Sequence, residues 1–483
     1  MTAFCGKSIS YFHLNVKQMF QENAEKKKNR GNYTLPSALM CKTLKLRILL
    51  PGECEATGKE TIMILKGNIV HAPACGTVEV HAGSWLVTQG ECVVGIYDTL
   101  PQTYEDQPVI DWGDSLIIPA FHDLHIHAPQ IVNRGIGYDE QLLPWLERYT
   151  FPTEAMFANL DFATRVWKAF LNRLWETGTM GFAAFATVHK QAAWHLMELT
   201  ESSGLRGLVG KVNMDRNAPD SLREDTKASL ADTEELICRS REELRRTAFI
   251  LTPRFVPSTT EKLMDGLGQL AERYQLPVQS HLSENRGEID WVARLHPDIP
   301  TYTQVYEQFG LLPQGRTITA HAIHLTDGEK ELLREKKVML AHCPLSNLNL
   351  SSGIMPLREN MERGLLCCIA SDVAGGNTAQ MARSVTAAVQ LSKVRWLQKP
   401  EQRPLSLGEA FYLATRGSGA FFGDVDAFLP GFQFDALVIR PTALDALMER
   451  SPYERLEQFL YDGGEIVQRY CAGKAVEKPF PEE

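Results

Sequence analysis

The sequence predicts an α/β protein built on a (β/α)8 TIM barrel, with a flanking β-sandwich formed by both chain ends. Eight apolar runs of about six residues alternate with longer segments of helical periodicity. Histidines or acids follow several runs, at the strand ends where parallel barrels keep their chemistry. Short β-type segments at both ends of the chain predict the sandwich. The eight runs begin near residues 115, 180, 207, 248, 277, 317, 337 and 365.

The composition is that of an ordinary globular protein and gives no sign of a polyanionic partner. The chain has 483 residues, 44% of them hydrophobic, and can bury a large core. Its formal net charge of -9 provides no attraction to nucleic acid or to an anionic membrane. We find no apolar run near the roughly 18 residues of a membrane span and no signal-peptide core. We therefore expect neither nucleic acid nor membrane as a partner.

The cysteines indicate a reducing compartment. Ten are scattered along the chain without a C-x-x-C pair, and Cys367 and Cys368 are adjacent inside an apolar run. This usage is typical of buried thiols and not of a disulfide framework. We therefore expect a cytoplasmic protein.

The first hundred residues predict an extension followed by a small β unit. Residues 1–42 are rich in polar and basic side chains, and we expect a disordered extension there. Short β segments follow at residues 44–50, 61–70 and 85–97. Within the second of them, Gly67 and the asparagine after it predict a turn.

The rest of the chain predicts the barrel and the second half of the sandwich. A doubly wound sheet is the competing fold, but no G-x-G-x-x-G follows a predicted strand. The β pattern returns at residues 434–439 and 466–475. The predicted domains are the N-terminal part of the sandwich at 43–112, the barrel at 113–428, and the C-terminal part of the sandwich with the tail at 429–483. Amphipathic helices are predicted at residues 160–176, 233–246, 260–274, 327–336 and 379–396.

A His-x-His pair, His125 and His127, follows the first predicted strand. We expect residues 115–121 to form that strand, so that both histidines lie beyond its C-terminal end. Residues i and i+2 of an extended chain project to one face, so the two imidazoles can reach one ion. The pair alone fits ordinary surface or core histidines equally well, and a metal site needs further ligands.

Further ionisable side chains end later strands. His281, His321 and His342 end the fifth, sixth and seventh predicted strands, and Asp372 ends the eighth. Three imidazoles with a carboxylate suit Zn²⁺ best, although ligand type leaves Fe²⁺ and Mn²⁺ open. Zinc would lower the pKa of water towards neutrality. Asp372 and Glu284, which lies three residues beyond His281, could then move protons.

The motifs around these residues resemble those of the amidohydrolase superfamily and, within it, those of the guanine deaminases. The superfamily pattern is carried by His125, His127, His281, His321 and Asp372. The resemblance extends over residues 60–476. Its sharper part lies in six blocks in the same order, at residues 128–130, 145–154, 211–217, 253–258, 280–285 and 371–376.

This resemblance implies hydrolysis of guanine to xanthine and ammonia by a homodimer with one zinc ion per subunit. It implies that Glu284 protonates the purine at N3 while hydroxide attacks C2, and that Asp372 handles the proton of the water. His321 is placed near that water, and whether it also coordinates the metal stays open. The implied zinc ligands are His125, His127, His281 and Asp372.

The resemblance also assigns guanine recognition to Gln130, Arg254 and Phe255, with Glu284 and Asp372 as further substrate contacts. A guanidinium and an amide can satisfy O6 and the ring nitrogens, and an aromatic ring can cover the base. By position alone, a salt bridge at the barrel rim would equally explain Arg254, and core packing would explain Phe255. The alternative substrates are another aminopurine or an aminated or chlorinated triazine; a catalytically inactive scaffold is the third hypothesis.

Overall fold

The computed structural model describes residues 61–481, which form a parallel α/β region flanked by a mixed β-sheet. The predicted extension at 1–42 and the predicted strand at 44–50 lie outside the described residues. The strands are β1 (Ile62–Ala74), β2 (Thr77–Gln89), β3 (Cys92–Tyr97), β4 (Val109–Pro119), β5 (Phe121–His127), β6 (Thr179–Phe185), β7 (Arg206–Gly210), β8 (Val212–Asn213), β9 (Thr247–Phe249), β10 (Thr252–Pro253), β11 (Val278–Leu282), β12 (Thr317–His321), β13 (Met339–His342), β14 (Leu366–Ile369), β15 (Ala436–Ile439), β16 (Ile466–Cys471) and β17 (Lys474–Ala475). The helices are α1 (Leu142–Trp145), α2 (Phe151–Ala155), α3 (Leu160–Glu176), α4 (Lys190–Ser203), α5 (Thr226–Glu243), α6 (Glu261–Tyr274), α7 (Arg286–Leu295), α8 (Tyr302–Gln308), α9 (Asp327–Glu335), α10 (Pro344–Asn349), α11 (Leu357–Glu362), α12 (Met381–Gln398), α13 (Leu407–Ala414), α14 (Arg416–Gly419) and α15 (Pro452–Asp462).

The flanking sheet joins β strands from both predicted halves of the sandwich. Its order is β17-β16-β15-β4-β1-β2-β3, and β15 pairs antiparallel with β4. The turn predicted at Gly67 is wrong, because β1 continues through it with a shift in register before Ile69. A Cβ at Gly67 would lie 3.1 Å from the Ile117 side chain, so the glycine allows a bulge in close contact with β4.

The barrel-like region contains two parallel four-stranded sheets, β5-β6-β7-β9 and β11-β12-β13-β14. Backbone hydrogen bonds connect them on both sides. The Leu251 N–H donates to the Pro277 carbonyl at 3.0 Å, and the Asp372 N–H donates to the His125 carbonyl at 2.9 Å. The prediction of a TIM-barrel-like α/β fold is therefore confirmed. The small interior cluster includes Leu124, Ala183, Leu208, Ile250, Ile318, Ala320, Ala341 and Cys368.

The first barrel strand differs from the prediction. Residues up to Pro119 belong to β4, which pairs with β1 and β15 in the flanking sheet, and the barrel strand is β5. The chain passes between the two sheets at Ala120, whose N–H donates to the Asp435 carbonyl at 3.2 Å. Both strands are buried and apolar, so periodicity alone cannot locate this crossing. As a consequence, His125 and His127 lie on the strand itself and not beyond it.

The helix predicted at 160–176 has these bounds in the structure, and the other predicted helices are present with shifted ends. The predicted helix at 233–246 starts earlier, as α5, because the Asp225 carboxylate accepts the N–H groups of Lys227 and Ala228 and caps it there. The structure between residues 61 and 481 contains no helix with the length and apolar character needed to cross a membrane.

Candidate active site

A pocket at the C-terminal ends of the barrel strands gathers most of the predicted site residues. Parallel strands bring these ends to one face, where loops can place side chains from distant parts of the chain. The predicted residues that line the pocket are His127, Gln130, Arg254, Phe255, His281, Glu284, His321 and Asp372. The pocket is also lined by Leu142, Glu288 and Leu350, which the sequence analysis did not name. Its other lining residues, Trp145, Leu146 and Gly375, belong to the blocks of resemblance at 145–154 and 371–376.

The four predicted metal ligands lie together. One ligand atom from each of His125, His127, His281 and Asp372 lies within 4.8 Å of the others. Asp372 Oδ1 is 3.1 Å from His125 Nε2 and 3.5 Å from His127 Nε2, and the Nε2 atoms of His127 and His281 are 3.1 Å apart. Ligand atoms around a tetrahedral zinc ion are separated by about 3.3 Å. The spacing of the four residues therefore fits a small metal ion.

The protonation of these histidines also fits metal binding. Burial lowers the pKa of His125, His127 and His281, which favours neutral imidazoles with a free lone pair. The Nδ1 atom of His281 lies 2.7 Å from the Arg254 carbonyl and donates to it, so its Nε2 is left for an ion. Three neutral imidazoles and one carboxylate make the nitrogen and oxygen donor set that Zn²⁺ accepts.

Asp123 stabilises β5, the strand that carries the predicted ligands His125 and His127, through hydrogen bonds. Its buried carboxylate accepts the backbone N–H of His125 at 3.3 Å and that of Ser371 at 3.1 Å, and also the Ser371 hydroxyl. Burial raises the pKa of Asp123 to about 7. These bonds join β5 to the segment that leads from β14 into Asp372. The next residues on that segment adopt strained backbone geometry, with a φ of 47° at Asp372.

Glu284 presents a carboxyl group to the pocket and is only 2% exposed. Its Oε1 accepts a hydrogen bond from the Ser352 hydroxyl at 2.8 Å, and its Oε2 lies 3.4 Å from His321 Nε2. Burial raises the pKa of Glu284 to about 7. This carboxyl group can therefore take up or release a proton near neutral pH.

Glu288 supports the segment that carries Glu284, and the sequence analysis missed it. Its Oε2 accepts the backbone N–H groups of Glu284 at 3.0 Å and Asn285 at 3.3 Å, and the Tyr302 hydroxyl donates to Oε1 at 2.8 Å. Asn285 and Glu288 form the capping box of α7. The Asn-x-x-Glu spacing is the sequence signal that could have identified this role.

His321 lies between the two carboxylates of the pocket. Its Nδ1 is 2.9 Å from Asn347 Oδ1 and donates to it, so Nε2 faces Glu284 and is 3.7 Å from Asp372 Oδ2. Burial alone would lower the pKa of His321, but Glu284 and Asp372 raise it. His342, by contrast, lines a separate cavity.

Gln130 and Arg254 meet on a buried glutamate. Gln130 Nε2 donates to Glu154 Oε1 at 2.9 Å, and an Arg254 Nη1 hydrogen bond reaches Glu154 Oε2 at 2.5 Å. The sequence left two explanations for Arg254, a salt bridge and a role in the pocket. The structure shows both, because Arg254 pairs with Glu154 and also lines the pocket. Phe255 also lines the pocket and packs edge-on against Trp291, with ring centroids 6.4 Å apart.

Comparisons with known proteins are consistent with this geometry. Residues 116–476 match the model of the amidohydrolase family. The chain is 36% identical to guanine deaminase of Dictyostelium discoideum over 81% of this chain and 91% of that protein. It is 33% identical to guanine deaminase of Rattus norvegicus over 88% and 98%. A guanine deaminase from C. acetobutylicum, solved with guanine bound in its active site, superposes with a TM-score of 0.85 at 41% identity, covering 86% of this chain and 100% of that one.

Proposed function

Because the chain belongs to the amidohydrolase family, and within it to the guanine deaminases, we propose that it hydrolyses guanine to xanthine and ammonia. The observation that carries the proposal is one pocket in which a metal-ligand quartet faces Glu284, a carboxyl group with a pKa of about 7. Hydrolytic deamination needs both a nucleophilic oxygen and a proton donor for the ring.

We propose one Zn²⁺ per subunit, held by His125, His127, His281 and Asp372. When bound, zinc lowers the pKa of water towards neutrality and supplies hydroxide at pH 7. The neutral imidazoles and the ligand spacing described above support this assignment. Removal of the metal by a chelator should abolish ammonia release, and stoichiometric Zn²⁺ should restore it.

The proton transfers are assigned to three side chains that face one another. Glu284, in its protonated form, donates to N3 of the purine as C2 is attacked. Asp372 takes one proton of the attacking water and returns it to the departing amino group. The hydroxyl proton left on C2 passes to the Glu284 carboxylate, which forms the C2 carbonyl of xanthine and restores the acid. His321 lies within 4 Å of both carboxylates, at 3.4 Å from Glu284 and 3.7 Å from Asp372, and stabilises their negative charge during the transfer.

Gln130, Arg254 and Phe255 hold the base, with Arg254 and Gln130 directed at polar atoms of the purine and Phe255 at its face. The competing substrates are another aminopurine and an aminated or chlorinated triazine. Ammonia release from guanine, compared with adenine, cytosine, 8-oxoguanine and an aminotriazine, separates these possibilities. Guanine should be the preferred substrate, and a larger kcat/KM for any other compound would overturn the proposal.

The hydrogen bond from Ser352 to Glu284 should influence the pH at which kcat/KM falls on the alkaline side. A protonated Glu284 is needed for donation to N3, so kcat/KM should fall as the pH rises through its pKa of about 7. The Ser352 hydroxyl donates to the Glu284 carboxylate and lowers that pKa. Ser352→Ala should therefore move the alkaline limb upwards by about one unit. An unmoved limb would assign it to another group.

Gln130 should contribute to binding of the base and not of the metal. Among the residues that the structure describes, no hydrogen bond joins its side chain to the four ligands, and its amide lies between Glu154 and the Ala374 N–H. Gln130→Ala should raise KM for guanine about tenfold, the effect of losing a hydrogen bond to a buried polar partner. Zinc content, measured by elemental analysis, should stay at the wild-type value. Loss of zinc from this variant would contradict the separation of the two roles.

The fold closure and the oligomeric state are further proposals. We propose that the two four-stranded sheets are halves of one closed eight-stranded barrel, because backbone hydrogen bonds join them on both sides. The homodimer is proposed from the family resemblance, and sedimentation equilibrium would test it. The sandwich, the four domain boundaries and the cytoplasmic location stay predictions.

A further inference from the structure

Glu154 touches both residues assigned to base recognition without lining the pocket itself. It lies on the short helix α2, is 3% exposed, and each of its two carboxylate oxygens accepts from a different side chain. We propose that Glu154 is a positioning residue that fixes the orientation of the Gln130 amide and the Arg254 guanidinium, and thereby makes the pocket select purines with an oxygen at C6. This inference rests on the proposed function.

The Gln130 amide is held in one orientation by two partners, one of which accepts a hydrogen bond while the other donates one. Its nitrogen donates to the Glu154 carboxylate at 2.9 Å, and its oxygen accepts the Ala374 N–H at 3.2 Å. A flipped amide would place its oxygen against a carboxylate and its NH₂ against an N–H group. Two hydrogen bonds would then become two repulsive contacts between buried groups. The second N–H of the amide nitrogen is left for the pocket.

The Arg254 guanidinium is held in the same way. Its Nη1 donates to the other Glu154 oxygen, and its Cζ lies 5.3 Å from the centroid of the Phe151 ring. Within residues 61–481, its remaining N–H groups have no protein acceptor, and the side chain lines the pocket. A guanidinium has donors only, so Arg254 cannot accept a hydrogen bond from a substrate.

The Gln130 amide and the Arg254 guanidinium, both held by Glu154, therefore present hydrogen-bond donors to the pocket. The O6 atom of guanine is an acceptor and satisfies them. In 2,6-diaminopurine, the amino group at C6 is a donor and would leave them unpaired. A site built on buried hydrogen bonds rejects the analogue that cannot form them. Glu154 thus contributes to specificity through the two residues that it holds.

Glu154→Gln tests this arrangement. The introduced amide can donate to a flipped Gln130 oxygen, so the variant removes one of the two repulsive contacts that oppose the flipped form and leaves only the one with the Ala374 N–H. We expect the ratio of kcat/KM for guanine to kcat/KM for 2,6-diaminopurine, measured by ammonia release, to fall at least about tenfold. The matched control is Glu409→Gln, because Glu409 is similarly buried, is paired with Arg358 at 2.7 Å and lines a different cavity from the active-site pocket. It should lose stability without a change in the ratio.

A double variant keeps the test informative if Glu154→Gln folds poorly. Gln130→Glu combined with Glu154→Gln preserves every hydrogen bond around the pair but reverses the polarity of the side chain at position 130. An acceptor then faces the pocket, and the preference should move further towards 2,6-diaminopurine than in the single variant. A wild-type ratio in either folded variant would overturn the inference. Failure of the wild-type protein to deaminate guanine would instead overturn the proposed function.

Discussion

Glu284→Gln should lower kcat for guanine by roughly 10²–10⁴-fold, the contribution that general acid–base catalysis typically makes. The glutamine side chain has the same size and can still accept the Ser352 hydroxyl that now reaches Oε1 at 2.8 Å. It cannot transfer a proton to N3. Because the carboxyl group has a pKa of about 7, this position is half protonated in neutral solution, and the loss should be present across the neutral range.

Two measurements separate this loss from damage to the site. Zinc content should stay at the wild-type value, since Glu284 is not among the quartet of ligands. The residual activity should also lose the alkaline limb, because no carboxyl group titrates at position 284. Glu409→Gln, the same substitution at a buried carboxylate outside the pocket, should keep kcat within about twofold of wild type. A Glu284→Gln enzyme with normal kcat would remove the proton-transfer role.

The chemistry of the site could be predicted because it depends on local pattern. His281 and His321 follow short apolar runs, and parallel strands that alternate with helices must bring such residues to the same face. That rule brought several histidines and Asp372 to one face, and the family resemblance then identified which four of these residues would bind the metal. The four ligands do lie together in the structure.

The supporting residues could not be predicted, because they act over long separations in sequence. Glu154 pairs with Arg254 across 100 residues, and Ser352 donates to Glu284 across 68 residues. Glu154 belongs to the block of resemblance at 145–154, but that block does not indicate its partners, and Ser352 has no sequence signal at all. Only Glu288 had a local signal, the capping box.

The position at which the chain crosses from the flanking sheet to the barrel was predicted wrongly, for a different physical reason. His122 shows it best, because its Nδ1 lies 2.5 Å from Asp426 Oδ2, and both side chains are fully buried beneath the barrel. Burial lowers the pKa of His122 to about 3 and raises that of Asp426, so this contact links β5 to a distant segment without an ion pair. The sequence pattern gives no means of locating a partner so far along the chain.

His281→Ala and His321→Ala should differ in metal content although each removes one imidazole from the same pocket. His281 is one of the four clustered ligands, and its Nε2 is 3.1 Å from that of His127. Its loss should weaken zinc binding by more than the 10–100-fold that typically follows loss of a residue supporting a ligand. Turnover at limiting zinc should then be abolished. Elemental analysis after dialysis measures the first effect and ammonia release the second.

His321→Ala should keep its zinc and still lose most of its turnover. Its Nε2 faces the carboxylates of Glu284 and Asp372, at 3.4 and 3.7 Å, and it is bound from behind by Asn347. Removing it leaves the quartet intact but takes away the imidazole that lies between the two proton-carrying groups. A zinc loss equal to that of His281→Ala would make His321 a fifth ligand, and the proton transfer would then have to proceed between Glu284 and Asp372 without it.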